Sequence, residues 1–116
     1  MKENIIATKT EAFADRIVNA CKYLQHEKNE YRMSDQMLRS GTSIGAMIKE
    51  SQFAQSRADF VNKCSIALKE ANETRYWIER IFKGKYFSKN EYDSLNKDIN
   101  EIVAILIAIV RSTKNT

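Results

Sequence analysis

Proline is absent from all 116 residues, and glycine occurs three times. Nothing in such a chain forces a helix to kink or stop early, so helices can run long. Apolar residues recur at spacings near four in four segments, each opened by a capping signal. Thr8 with Glu11 reads as a capping box ahead of Phe13, Ile17, Cys21 and Leu24. Ser34 can cap a second helix carrying Met37, Gly41, Ile44 and Ile48. Ser56 with Asp59 opens a third, with Val61, Cys64, Leu68, Ala71, Ile78 and Phe82, and Gly84 is placed to end it. Ser88 with Glu91 opens a fourth, with Tyr92, Leu95, Ile99, Ile102, Leu106 and Ile109. The connections are short, so consecutive helices are expected to pack antiparallel. The pattern predicts an all-α, up-down-up-down four-helix bundle, one domain over residues 1–116.

A chain of this length buries roughly two-thirds of the surface its unfolded form exposes, enough for a core without disulfide or metal staples. The longest apolar run is nine residues, against the ~20 a spanning helix requires. The N-terminal MKENIIATKTEAF lacks the apolar region and cleavage site of a signal peptide. The expected location is the cytoplasm, with no membrane partner. Cys21 and Cys64 lie in apolar helical contexts without CxxC spacing and read as reduced, buried thiols. The net charge of +4 permits a nucleic-acid partner without requiring one.

Two stretches break the alternation of a wet and a dry helix face. IVAILIAIV, Ile102 to Val110, is apolar on every side. SGTSIGAMI, Ser40 to Ile48, carries no charge on any side. Within it Gly41 and Gly45 lie one turn apart, and each costs a helix about 1 kcal/mol relative to alanine. Close approach of another backbone would offset that cost, either inside one bundle or from a neighbouring subunit. In an up-down-up-down bundle both stretches fall toward the same end. Two helices dry all round at one level predict a homo-oligomer. Gly41, Gly45, Ile105, Ile107 and Arg75 are its candidate interface residues.

The segment LRSGTSIGAMIKESQFAQSRADFVNKCSIALKEANETRYWIERI, Leu38 to Ile81, resembles the signature of the 23S rRNA-intervening sequence protein family. The residues that carry the resemblance are Arg39 to Ala46, Ile48, Glu50, Ile66 to Ala71 and Glu73 to Trp77. Met47 departs from the asparagine usual in the family, and Lys49 from a frequent alanine. The resemblance implies an antiparallel four-helix bundle that assembles into rings, often pentamers. It attaches no enzymatic activity or cofactor. A related branch serves as accessory subunits of diversity-generating retroelements, which makes a reverse transcriptase a candidate partner.

The residues offer little to catalysis. With His26 as the one histidine, and no Glu three positions before it, a di-iron bundle site cannot be built. Cys21, Cys64 and His26 have no standard zinc spacing. No phosphate-binding glycine loop or nucleophile elbow occurs. Glu70 and Glu73 share a helical face, but Lys69 can pair with Glu73, and Arg75 with Glu79. The expectation is therefore no enzyme, no metal and no cofactor. Arg75 is placed on the apolar stripe of the third helix, where it would need a partner such as Glu50 or a subunit boundary, or would reach to solvent. In IFKGKYFSK, Ile81 to Lys89, the cations Lys83, Lys85 and Lys89 alternate with aromatics including Tyr86. That combination suits single-stranded RNA or DNA. It equally suits a bundle end closed by aromatics and kept soluble by lysines. Five copies in a ring would multiply the +4 charge into a field attractive to polyanions. Two readings follow: a homo-oligomeric adaptor for nucleic acid or a nucleic-acid enzyme, or a protein scaffold (or ribosomal RNA insertion passenger) with no nucleic-acid role.

Overall fold

A computed structural model describes residues 2–114, which form α1 (Lys2–Lys28), α2 (Arg32–Ser51), α3 (Arg57–Lys83) and α4 (Lys89–Lys114). Their buried positions fall mainly in steps of three and four. In α3 these are Cys64, Ala67, Ala71, Thr74, Ile78 and Ile81; in α4, Leu95, Ile99, Ile102, Leu106 and Ile109, with Val103 and Val110 buried beside them. Such spacing averages about 3.5 residues and keeps one seam facing the core along a packed helix. The α3 stripe read from the sequence keeps the same average spacing and shares Cys64, Ala71 and Ile78 with the core. Val61, Leu68 and Phe82 sit half-buried at its flanks.

Helix starts follow the sequence where the capping signal is local and complete. Ser56 Oγ accepts from Asp59 N (3.0 Å), and Asp59 Oδ2 accepts from Gln55 N (3.2 Å). Ser88 and Glu91 form the fully reciprocal pair, Glu91 N donating to Ser88 Oγ (3.1 Å) and Ser88 N to Glu91 Oε1 (2.7 Å). The other two starts differ from expectation. α1 runs through Thr8 from Lys2, because Ile6, 2% exposed, has core to bury ahead of the expected cap. α2 begins before Ser34, whose hydroxyl donates to the Glu30 carbonyl (2.8 Å). Its capping group is the Glu30 carboxylate, which accepts from Met33 N (3.1 Å) and Ser34 N (2.8 Å). Glu30 is itself buried; a negative group there satisfies orphan N–H donors and complements the helix dipole.

The end of α3 also departs from the simplest reading. Gly84 caps the helix with an ordinary φ of −76°. The left-handed residue is Lys85, at φ 71°. Lys85 N donates to Phe82 O (2.9 Å) and Tyr86 N to Ile81 O (3.1 Å), the two bonds of a Schellman ending.

The helices pack as a closed circuit, α1 on α2, α2 on α3, α3 on α4 and α4 on α1. Along each pair the residue numbers run in opposite senses. Gly41 meets Ile17 while Gly45 meets Thr10. Ser40 meets Thr74 while Glu50 meets Lys63. Arg75 meets Asn100 while Phe82 stacks on Tyr92, and Arg16 meets Asp98 while Lys9 meets Glu101. Ile6, Ile48, Cys64 and Ile109 line one cavity, so the two uncharged stretches do lie toward the same end.

Both glycines face α1 of their own chain. A Cβ on Gly41, which is buried, would lie 2.9 Å from Ile17 Cγ2; one on Gly45 would lie 3.4 Å from the Thr10 carbonyl oxygen. The close approach they permit is therefore between α1 and α2 of one bundle, the intramolecular one of the two alternatives left open by the sequence. IVAILIAIV is covered on one side by that bundle, with Ile102, Val103, Leu106, Ile109 and Val110 buried. Its other side leaves Ala104 exposed and Ile105, Ile107 and Ala108 half-exposed.

Candidate functional site

The two segments that carried the sequence signature meet along the α2–α3 seam. In its interior the hydroxyls of Ser40 and Thr74, both buried, share a hydrogen bond of 2.9 Å. The Thr74 hydroxyl also reaches the Glu70 carbonyl at 2.8 Å. Outside this pair, Arg39 bridges two carboxylates one turn apart on α3, Glu70 (3.0 Å) and Glu73. Glu73 Oε2 also accepts from Trp77 Nε1 (3.1 Å). The Arg39 hydrogen bond, and after it that of Trp77, pulls the Glu73 carboxyl below the ordinary glutamate range. The same bond raises the Arg39 guanidinium. Glu70 and Glu73 are thus tied into an ion pair that orients an indole. The Lys69–Glu73 pair is replaced by this arrangement, because Arg39 presents a planar fork from the neighbouring helix.

Next to Trp77 the α3 surface is aromatic and cationic. Tyr76 is 54% exposed and stands edge-on to Trp77, with ring centroids 5.1 Å apart and planes at 77°. The Arg80 guanidinium carbon lies 5.6 Å from the Tyr76 ring centroid. Arg80 Nη2 donates to Glu79 (2.7 Å), which removes Glu79 from the expected pair with Arg75. Beside Trp77 a groove of about 410 Å³ is lined by Arg32, Met33, Asp35 and Gln36. Sequence reasoning used Tyr76 and Trp77 only as marks of family resemblance. The available signal was an Arg four residues beyond a Tyr, which on a helix lies over its ring.

Arg75 is not on the dry stripe; Thr74 occupies that position and Arg75 is exposed. Its guanidinium donates to Asn100 Oδ1 (3.0 Å) and Asn72 Oδ1 (2.9 Å). The suggested partner Glu50 instead pairs with Lys63 at 3.0 Å. A shift of one residue on a helix turns a side chain by about 100°, which separates a core position from a surface one.

In the α3–α4 turn the aromatics close the bundle end. Phe87 is buried, Phe82 stacks on Tyr92 at 4.2 Å, and Tyr86 packs half-buried against the core. Lys89 is neutralised by Asp93 (2.7 Å). Lys83 and Lys85 are exposed, and no ion pair engages them among the described residues. The structure therefore separates the four expected nucleic-acid contacts into two free cations, one paired cation and one packing ring.

Cys21 and Cys64 are buried free thiols. Burial pushes the Cys21 thiol up, against a smaller opposing hydrogen bond with Ser34, which keeps it a weak nucleophile. His26 is exposed at the end of α1. Among the described residues no group of three or more His, Cys, Asp or Glu is placed to hold a metal ion, and no helix is long and apolar enough to cross a membrane.

These features define an all-α four-helix protein whose polar surface chemistry consists of ion pairs, aromatic rings and uncommitted lysines. The chain belongs to the 23S rRNA-intervening sequence protein family, whose model matches residues 2–108, in agreement with the resemblance carried by Leu38 to Ile81. It is also similar to a protein of unknown function from the S23 ribosomal protein family of Bacteroides thetaiotaomicron, solved by crystallography at 1.70 Å. That chain is 53% identical, with a TM-score of 0.94 over 96% of this chain and 99% of the other. No curated protein matches the chain.

Proposed function

We propose that the protein is a non-enzymatic, cytoplasmic homo-oligomer of antiparallel up-down-up-down bundles that binds nucleic acid as an adaptor. The observation that carries assembly is the outer side of α4, uncharged from Ile102 to Val110, with Ala104 exposed and Ile105, Ile107 and Ala108 half-exposed in the single chain. Small and branched apolar residues without an intervening charge favour burial against another copy. The opposite numerical order of partners in every packed pair supports the antiparallel arrangement. A pentameric ring is the family expectation adopted here. The uncommitted Lys83 and Lys85 support the nucleic-acid role, and a ring would repeat them around its rim. A reverse transcriptase is the enzyme partner that the family resemblance suggests. The scaffold alternative takes the same assembly without nucleic acid.

The test joins mass and binding. Light scattering coupled to size exclusion at micromolar concentration is expected to report a multimer, and a mass of 13.4 kDa would overturn the assembly. Fluorescence anisotropy of a labelled single-stranded oligonucleotide should show association at ~50 mM salt that weakens steeply by ~200 mM, as counterion release requires. No association at the lower salt favours the scaffold.

A further inference from the structure

The outer face of α3 carries Lys69, Glu73, Tyr76, Arg80 and Lys83 at alternating steps of four and three, so these side chains form one stripe along the helix. Glu73 is already occupied by Arg39 and by the Trp77 indole. Tyr76 spends 54% of its surface in solvent although it is a large ring. Trp77 and Tyr76 meet edge to face and Arg80 lies over the Tyr76 ring, so the ring is positioned while about half of its surface stays in solvent. Arg80 Nε is buried without a hydrogen-bond partner in this state, and a buried donor left unpaired is costly. The stripe then continues into the exposed Lys83 and Lys85, which no ion pair engages among the described residues.

We propose that Tyr76, Trp77 and Arg80 form a base-stacking platform for single-stranded nucleic acid, with Lys83 and Lys85 carrying the phosphates of the same strand. The proposal rests on the nucleic-acid reading above and assigns its recognition surface to α3 rather than to the aromatics of the turn. Aromatic and guanidinium planes accept any base through its π-face, so little sequence preference is expected. The pinned rings have already lost much of the rotamer freedom that stacking would otherwise remove. An apolar partner helix is disfavoured here, because Arg80, itself paired with Glu79, lies over the ring and the exposed Lys83 follows one turn further along α3. An acidic peptide could use those cations but would gain less from an upright tyrosine and a fixed indole.

Trp77 is the only tryptophan, which makes it a reporter at the proposed site. A 20-nucleotide oligothymidylate is titrated at ~50 mM salt, with anisotropy of a labelled copy reporting binding anywhere and Trp77 emission reporting binding at the platform. Saturable quenching of Trp77 that tracks the anisotropy is expected. Tyr76→Ala should weaken binding roughly tenfold, as loss of one stacked base does, whereas Tyr76→Phe should bind within about twofold of the parent because it keeps the π-face. Tyr76 is exposed, so unchanged helical circular dichroism and melting should confirm that Tyr76→Ala folds. Anisotropy without any Trp77 response, and indifferent to Tyr76→Ala, overturns the platform while leaving nucleic-acid binding in place. Absence of both signals overturns the platform and the nucleic-acid reading together.

Discussion

α1 is held differently on its two sides. Toward α2 it meets two glycines, and the Ile17 side chain and Thr10 backbone approach the space a Cβ at those positions would take. Toward α4 it meets polar partners. Arg16 reaches Asp98 at 2.5 Å and Ser94 Oγ at 2.7 Å, and Lys9 reaches Glu101 at 3.0 Å. Hollows of about 290 and 140 Å³ open along that second seam, one beside Tyr23 and Phe87, the other beside Phe13 and Ile102. The first seam gains from dispersion and apolar burial, which need contact at van der Waals distance. The second buries apolar groups such as Phe13 and Ile102 less closely and adds half-exposed ion pairs, each worth little in water. Two sides of one helix thus divide the work: the α2 side sets the register and stability of the bundle, and the α4 side fixes orientation with small energies.

The largest effect should follow from forcing the close seam apart. Gly41→Leu puts a branched side chain where even a Cβ is 2.9 Å from Ile17 Cγ2. A loss of about 3 kcal/mol is expected, read as a melting temperature lower by roughly 10 °C or more. A melting curve equal to the parent's would remove the glycines from the account of stability.

Alanine at the two glycines should sharpen the comparison, since the same chemical change meets different space. Either substitution gains about 1 kcal/mol of helix propensity. At Gly41 the clash with the fully buried Ile17 should outweigh that gain, leaving Gly41→Ala about 1 kcal/mol less stable. At Gly45 the new Cβ would sit at 3.4 Å from the Thr10 oxygen, at the edge of ordinary contact. Gly45→Ala should therefore match the parent or exceed it by up to about 1 kcal/mol. Chemical denaturation of both variants gives the two signs, and equal shifts would break the distinction between the positions.

The smallest effect is expected on the other side of α1. Arg16→Ala removes the Asp98 pair and the Ser94 bond, yet should cost less than about 1 kcal/mol. The cost should shrink as salt screens the half-exposed pair. A salt-insensitive loss as large as that of Gly41→Leu would show that the α1–α4 seam carries the bundle after all.

Much of the fold was legible because its signals are local. The Ser56–Asp59 and Ser88–Glu91 signals need only residues three or four apart, and both cap their helices, the second as a fully reciprocal box. Thr8–Glu11 shows the limit of that rule. The same residue types sit mid-helix because Ile6, one turn earlier, finds a core. Ser34 shows it again: a glutamate preceding the helix, buried by the fold, took the capping role from a better-ranked residue type. The candidate surface was less legible. Lys89 looked as free as Lys83 until its partner Asp93 was in place, and Arg75 looked buried by a spacing argument that was off by one residue. Arg39, Glu73 and Trp77 appeared in the sequence as a family signature without a geometry.

The sequence by itself determined four long helices, three short turns and the faces that must be dry, because proline content, capping pairs and apolar period act within a few residues of one another. It also determined that Ser40 to Ile48 and Ile102 to Val110 would be unusual, since a run without charge has no wet side on any helix. Which neighbour Gly41 and Gly45 admit, which carboxylates Arg39 takes, and that Tyr76 stands open between Trp77 and Arg80 were decided only by tertiary structure. Those outcomes depend on the rotation and register of one helix against another, where a single residue of shift turns a side chain by about 100° and exchanges core for surface.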